Sequence, residues 1–428
     1  MAKEKTRMFS RKDIMALLAF SIVGSVIYLG SGINGVFYEA FLEAFNISNE
    51  QLGIVTGTLP TVLNVLLYIP SGMLADRFSP KKLLVLSEVL AAGVSIYMAF
   101  FMNFTSAMIG MLLYTFSGTL LYWSAILKAI RVVGGPENSG SAYSWYYGVS
   151  TVLCFVVGMF QIWMFDQGAD SVGGIRNAFL VSAAASALSA VLVGVMYKES
   201  KEAVAAAGSD DSGKISLQDI PYLLKNKLFW IGSVLMLMMW AVHSSCHYFT
   251  PFLTELKGLS VTQGAIFNNV TGYAFYIFCP ITGYLVDKVF KSTFKLYVAG
   301  FALWAALLLV VAVVPMGLFG AILVSGLIIG FSVCLYGVMW SVLNEIHLPM
   351  KYSATAVGLA SIIVYASDFF LYTIYGNWLD SYAPPTAYRM IFLTMMGICL
   401  VAALVSIYLV VQTNKLKDTN KFGEAIEQ

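Results

Sequence analysis

Charge is what this sequence has least of. Asp, Glu, Lys and Arg make up 11% of its 428 residues, while 59% are hydrophobic. A soluble domain carries roughly 25% charged and about 45–50% apolar residues. A chain this long and this poor in charge cannot solvate its own surface, which excludes a water-soluble fold. The formal net charge is only +2, so capture of nucleic acid by a basic face is excluded as well. Cysteine is sparse. Cys154, Cys246, Cys279, Cys334 and Cys399 all lie in apolar runs without paired spacing, and read as space-filling thiols rather than a disulfide frame or metal site. No phosphate loop, nucleophile elbow or metal-ligand cluster occurs, which argues against an enzyme and calls for no cofactor. Basic residues are missing from the interior of every apolar run; Lys128, Arg131, Arg176 and Arg389 stand near the ends.

What is present is a series of twelve apolar runs, each near the ~20 residues that cross hydrocarbon. They cover 13–36, 50–75, 82–102, 105–128, 141–165, 176–197, 228–254, 262–286, 295–315, 318–343, 353–379 and 387–411. Met1–Lys12 is basic, but the run from Ile14 to Val36 is longer than the ~7–15-residue core of a signal peptide and reads as a first span. Ser48, before Asn-Glu-Gln51, and Ser260 are expected helix caps. Pro60, Pro70, Pro251 and Pro280 fall inside runs and mark expected kinks. Of the 25 Lys and Arg residues, 22 fall on one side of this scheme, and only Arg176, Lys257 and Arg389 on the other. Basic loops stay in the cytoplasm, so both termini are expected there.

The expected fold is an all-α membrane protein of twelve transmembrane helices in two pseudo-symmetric six-helix bundles. Residues 1–197 form the first bundle, 198–227 a cytoplasmic linker, 228–411 the second bundle and 412–428 a cytoplasmic tail. The linker is nearly free of bulky apolar side chains between Ala205 and Lys214, with a short surface helix expected near Leu217–Leu224. His347 is read as loop.

The two halves repeat. Gly72-Met-Leu-Ala-Asp76-Arg77 returns 211 residues later as Gly283-Tyr-Leu-Val-Asp287-Lys288, and Gly53 maps to Gly264 at the same offset. Farther on the offset drifts to 214, where Ser139-Gly-Ser-Ala142 faces Ser353-Ala-Thr-Ala356. A half-chain repeat in so apolar a protein is the signature of a transporter built from two similar bundles.

On these residues the chain resembles the major facilitator superfamily. That family's loop reads Gly-x-x-x-Asp-Arg/Lys-x-Gly-Arg/Lys-Arg/Lys, and Gly72, Asp76, Arg77 and Lys81 match it, as do Gly283, Asp287, Lys288 and Lys291. Ser79-Pro80 and Phe290 depart from it. Two further stretches resemble the sugar-phosphate-permease branch: Trp123-Ser-Ala-Ile-Leu-Lys128-Ala-Ile-Arg131, leading to Gly140, and Gly358–Ser361 through Asp368-Phe369 to Gly376. The resemblance implies alternating access, with two bundles rocking about a central site lined mainly by helices 1, 4, 7 and 10.

Candidate residues sort by role. Gly72, Asp76, Arg77, Gly283, Asp287 and Lys288 are the gating candidates, because a loop Asp can meet a helix N-terminus while the adjacent cation pairs across the bundle interface in one state only. Asp368 lies about 16 positions into its run, or ~24 Å along a helix, where an ionisable group is a functional hypothesis by default. Its repeat partner at offset 214 is Cys154, so the acid is not shared scaffold. Asp368 and His243 are the coupling candidates. His247, one turn beyond His243, shares its expected face with Trp240; no third ligand supports a metal. Tyr28, Asn34, Tyr122, Trp123, Trp240, His247, Tyr336 and Trp340 are the substrate-binding candidates. Ser332, Tyr336 and Trp340 share one expected face at a four-residue stride.

The expected function is secondary active transport of a small polar organic solute, such as a sugar derivative or organic acid, driven by protons across the bacterial cytoplasmic membrane. Phosphorylated and dicarboxylate cargo is disfavoured, because no buried cation would neutralise it. The expected partners are that solute, a proton and the bilayer, with the protein a monomer. One alternative is an exporter of amphiphilic or cationic compounds, with Asp368 as counter-charge; another is a sensor that kept the fold and lost transport. The topology is testable by reporter fusions. Junctions after residues 80, 210 and 425 should report cytoplasm, and those after 170 and 382 the outside; a cytoplasmic signal at 170 would overturn the scheme.

Overall fold

The computed structural model describes residues 9–199, 220–346 and 353–418, and every regular element among them is helical. Most of the expected linker, His347 and the end of the tail lie outside the described residues. Ile220–Lys225 forms a short helix close to the one expected in the linker.

Ten helical stretches among the described residues are long and apolar enough to cross a membrane. The other two expected spans are broken. Arg11–Val26 gives way to turns at 27–32 before Ile33–Val36. There the ladder shortens, with Leu29 N–H bonded to Val26 O at 2.9 Å. Gly30 and Gly32 weaken the helix at this point. Gly30 also admits the Tyr114 ring, which a side chain there would strike. The second broken span runs Val261–Tyr273, then a 3-10 segment Ala274–Phe278, then Cys279–Tyr284 and a π segment Leu285–Phe290.

The prolines explain where pitch changes. A π segment, Ile54–Thr58, precedes Pro60, and 3-10 segments precede both Pro251 and Pro280. Each proline leaves the carbonyl four residues back without its N–H partner, and a local change of pitch can re-pair it. Pro70 stays inside the α-helix Leu59–Arg77. Helical geometry also continues from Ser124 to Asp166 through the expected loop, with candidate spans Phe104–Gly134 and Ser141–Asp166 on either side of it.

The chain forms two compact units, Met1–Asp211 with Ser260–Tyr273, and Ser212–Leu259 with Ala274–Gln428. In the first, Pro80–Phe100 packs along Ser171–Met196, and Arg11–Val26 along Ser124–Asp166. Small residues line the first pair: Ala91, Ala92 and Ser95 on one helix, Ala183, Ser186 and Ala190 on the other. Lipid tails are as apolar as leucine, so helices in a bilayer associate by close packing, which small side chains permit. In the second unit, Thr293–Val313 packs along Pro384–Asp418, its buried Tyr297 and Trp304 meet Leu335 O and Phe331 of Leu318–Tyr336, and Phe249 stacks on Phe392 at 4.7 Å.

The repeat extends to the capping chemistry. Ser48 with Gln51 and Ser260 with Gln263 form matching reciprocal caps, 3.0 and 3.2 Å in each copy. Arg176 Nε donates to Ala99 O and Arg389 Nε to Ala312 O, both at 3.2 Å and 213 residues apart. Ser79 and Ser292 cap the helices Pro80–Phe100 and Thr293–Val313, and each hydroxyl donates to a distant carboxylate, Glu199 and Glu345 respectively. Those acids also accept the first backbone amides: Lys81 N–H at 3.4 Å for Glu199, Thr293 N–H at 2.6 Å for Glu345. An anion here pairs orphan donors and complements the helix dipole. Glu345→Ala should therefore lower stability by about 1–3 kcal/mol, read as a melting-temperature drop in detergent. An unchanged melting temperature would show that water replaces the carboxylate without loss.

Candidate functional site

The second unit gathers the coupling candidates into one cluster. Trp240 and His243 lie on Lys227–Ser245, Ser332 and Tyr336 on Leu318–Tyr336, and Asp368 on the 3-10 turn Tyr365–Phe369 that interrupts its span. The indole N–H of Trp240 donates to Asp368 Oδ2 at 2.9 Å. His243 Nδ1 meets Ser332 Oγ at 2.6 Å. The Tyr336 ring lies flat on His243, centroids 4.5 Å apart and planes 3° from parallel. Tyr365 stands edge-on to Trp240 at 4.7 Å. Asp368 Oδ1 is buried and has no hydrogen-bond partner among the described residues. One carboxylate oxygen is thus held and the other is unpaired, a position that can carry a proton.

His247 and Trp340 make no ring contact or hydrogen bond with Trp240, His243, Ser332, Tyr336 or Asp368 among the described residues. The helix tightens to 3-10 geometry at Cys246–Tyr248, and the His247 ring meets Tyr372 edge-on at 6.4 Å. The i, i+4 histidine face expected from α-helical spacing is therefore split. The helix carrying Ser332 and Tyr336 ends at Tyr336, and Trp340 lies beyond it on a turn. The expected stride holds for two residues and fails for the third.

The first unit holds a second aromatic group. Tyr28, on the broken stretch 27–32, is 47% exposed and meets Tyr122 edge-on at 5.8 Å. Its ring rests on Gly118, where an added Cβ would lie 2.8 Å from it. Tyr122 and Trp123 sit on the π segment Phe116–Trp123; Tyr122 is buried with its hydroxyl bonded to that of Tyr146, whereas Trp123 is exposed. Asn34 is buried, and the neighbouring Gly35 O accepts a bond from Asn268 Nδ2 at 3.2 Å.

In the repeated loops, Arg77, Asp287 and Lys288 are exposed, while the Asp76 side chain lies outside the described residues. Gly72 and Gly283 both face open space. Lys128 Nζ donates to Ala75 O at 2.8 Å, tying the residue just before Asp76 to the helix Ser124–Asp166.

Sequence reasoning missed Glu88. It lies midway along Pro80–Phe100, is 0% exposed, and neither carboxyl oxygen has a hydrogen-bond partner among the described residues. The signal was present: an acid inside an apolar run, the criterion that singled out Asp368. Without a counter-ion the position needs the shape of the side chain rather than its charge. Glu88→Gln should therefore fold with an unchanged or higher melting temperature, since an unpaired buried carboxylate is costly. A well-folded Glu88→Gln protein that has lost transport would instead place this acid in the transport cycle.

Comparison with known proteins bears on all of these residues together. The family model described as Major Facilitator Superfamily matches residues 20–372. The chain is 24% identical to the inner membrane protein YqcE of Escherichia coli K12, over 91% of this chain and 92% of that one. It is 22% identical to the arabinose-proton symporter of Bacillus subtilis, covering 80% and 78%. Its fold matches the crystal structure of a bacterial homologue of the human lysosomal transporter Spinster with a TM-score of 0.77 at 15% identity, over 95% and 98% of the two chains.

Proposed function

The chain belongs to the Major Facilitator Superfamily, a family of membrane transporters, and from there we propose that it is a proton-coupled carrier of a small, uncharged or weakly charged polar solute. It is a multi-pass protein of the bacterial inner membrane, not an enzyme. The proposal keeps the twelve-span scheme, with both termini cytoplasmic, the bundles at 1–197 and 228–411, and a single copy as the working unit. The two runs that are not continuous α-helices, 13–36 and 262–286, count as spans in it.

The observation that carries the reading is Asp368, held by Trp240 through one oxygen and unpaired at the other, inside a span of the second unit. An acid in that setting can take up a proton when its pocket faces one side and release it on the other. Trp240, His243, Tyr336 and Tyr365 supply rings beside it, and Tyr28 and Trp123 supply exposed rings in the first unit. Ring faces with few charges suit sugar-like solutes. The lack of Lys or Arg deep in any run argues against phosphorylated cargo. The resemblance to an arabinose-proton symporter supports both the driving ion and the solute class. In this reading Asp76-Arg77 and Asp287-Lys288 act as the cytoplasmic gate. A second reading is favoured by the rings around the Asp368 carboxylate, which also suit an organic cation; in that case the protein is an exporter.

A proton crossing ~100 mV releases ~2.3 kcal/mol, which at ~1.4 kcal/mol per decade supports roughly 40-fold accumulation. A thermal-shift screen of neutral sugars, monocarboxylates and organic cations against the purified protein identifies the solute. Asp368→Asn, which mimics the protonated acid, should then still exchange labelled for unlabelled solute across proteoliposomes yet lose gradient-driven accumulation. Accumulation that survives intact would remove Asp368 from coupling, and loss of both activities would make it a solute ligand or structural anchor.

A further inference from the structure

Outside both aromatic clusters, the first unit carries an open pocket of about 430 Å³ where the helix Pro80–Phe100 begins. Lys81 and Lys82 stand at its polar end, beside the bonded pair Ser79–Glu199, and Val85, Leu86 and Val89 form its apolar wall. The wall continues down the helix. Lys82, Leu86, Val89, Gly93, Ile96 and Phe100 fall within about 40° of one line at 100° per residue, and Leu86, Val89, Ile96 and Phe100 are each about half exposed. Gly93 leaves a notch in the line, with nothing within 4 Å of the side chain it lacks. From Leu86 to Ile96 the stripe is ~15 Å long, half of the ~30 Å hydrocarbon core and so the depth of one leaflet.

We propose that this pocket binds an anionic phospholipid of the cytoplasmic leaflet, with its phosphate on the Lys81 and Lys82 ammoniums and an acyl chain along Leu86, Val89 and Ile96. The sidedness rests on the topology given above. The helix N-terminus does not hold the phosphate, because its amides are already taken: Lys82 N–H by Ser79 Oγ and Lys81 N–H by Glu199, both at 3.4 Å. That leaves the side-chain ammoniums as donors, and no ion pair to either occurs among the described residues. Glu199 brings a negative charge to the pocket, but its carboxylate is engaged by the Ser79 hydroxyl and the Lys81 amide. The headgroup is thereby confined to the lysine side. The continuous apolar stripe selects a lipid over a free phosphate, which would leave the wall uncovered.

The repeat provides an internal contrast. At offset 213, Lys81 and Lys82 become Phe294 and Lys295, and Leu86 and Val89 become Ala299 and Ala302. Val85 keeps a valine, Val298, but one lysine of the pair and the two larger steps of the wall are lost, so the full combination occurs in one copy only, as expected of a site acquired by one half rather than of a scaffold shared by both.

The test uses the full-length protein in dodecylmaltoside micelles, with melting temperature followed during titration by dioleoyl phosphatidylglycerol, dioleoyl phosphatidylcholine or inorganic phosphate. Phosphatidylglycerol should stabilise at concentrations at least tenfold lower than phosphatidylcholine, and inorganic phosphate should have no effect. Lys81→Gln with Lys82→Gln should abolish that preference, while Lys291→Gln with Lys295→Gln, exposed cations of the other copy, should keep it. Equal stabilisation by inorganic phosphate would make this a free-anion site and overturn the proposal. So would a preference that survives in the first double variant, or one lost equally in the second, which would mean bulk charge attraction. Because the readout is binding, a negative result leaves the transport reading standing, and a failed transport assay leaves this one standing.

Discussion

In hydrocarbon no water is available to pair a backbone amide, and this one constraint organises the molecule. With only 11% of its residues charged, the chain has few side chains to spend on the task, and it concentrates them at helix ends. Serine, glutamine and asparagine cap the N-termini; arginines cap the far ends of two helices through a carbonyl. Ahead of Pro60, Pro251 and Pro280, where proline removes a donor, the helix changes pitch, whereas Pro70 is carried within α-helical geometry. The polar groups that remain outside this duty are therefore informative, and Asp368, His243 and Ser332 are among them.

Much of this was legible in the sequence, because hydropathy and charge placement are properties of composition. Ten of the expected spans have helical counterparts long and apolar enough to cross, and the expected caps at Ser48 and Ser260, 212 residues apart, both form. Asp368 and His243 could be named because ionisable groups are rare in such runs. Their partners could not. Whether Trp240 or a tyrosine would hold Asp368 depends on how three separate helices pack, and one-dimensional spacing carries no such information. Spacing also misled where pitch changed. The His243–His247 and Tyr336–Trp340 pairs assume 3.6 residues per turn, and the helices abandon that value after Ser245 and after Tyr336.

The tyrosine and glycine contacts were illegible for a different reason. Gly24 lies against Tyr146, Gly30 against Tyr114 and Gly118 against Tyr28, each without room for a side chain. In the sequence these glycines look like flexibility. In the fold they are sockets for rings, and they position the aromatic group of the first unit. Glu88, by contrast, meets the criterion already applied to Asp368, an acid inside an apolar run, and was legible on that ground.

The two carboxylates that clamp helix N-termini hold equivalent helices but come from inequivalent places. Glu199 lies 120 residues beyond Ser79, after the last span of the first bundle, whereas Glu345 lies 53 residues beyond Ser292, before the two spans that end the chain. During synthesis the chain emerges in order, so the first clamp cannot close until its whole bundle has been made. The second can close while two spans are still to come. The duplicated halves thus share a finished architecture but not a schedule of assembly, and the first must wait longer with an end unfastened.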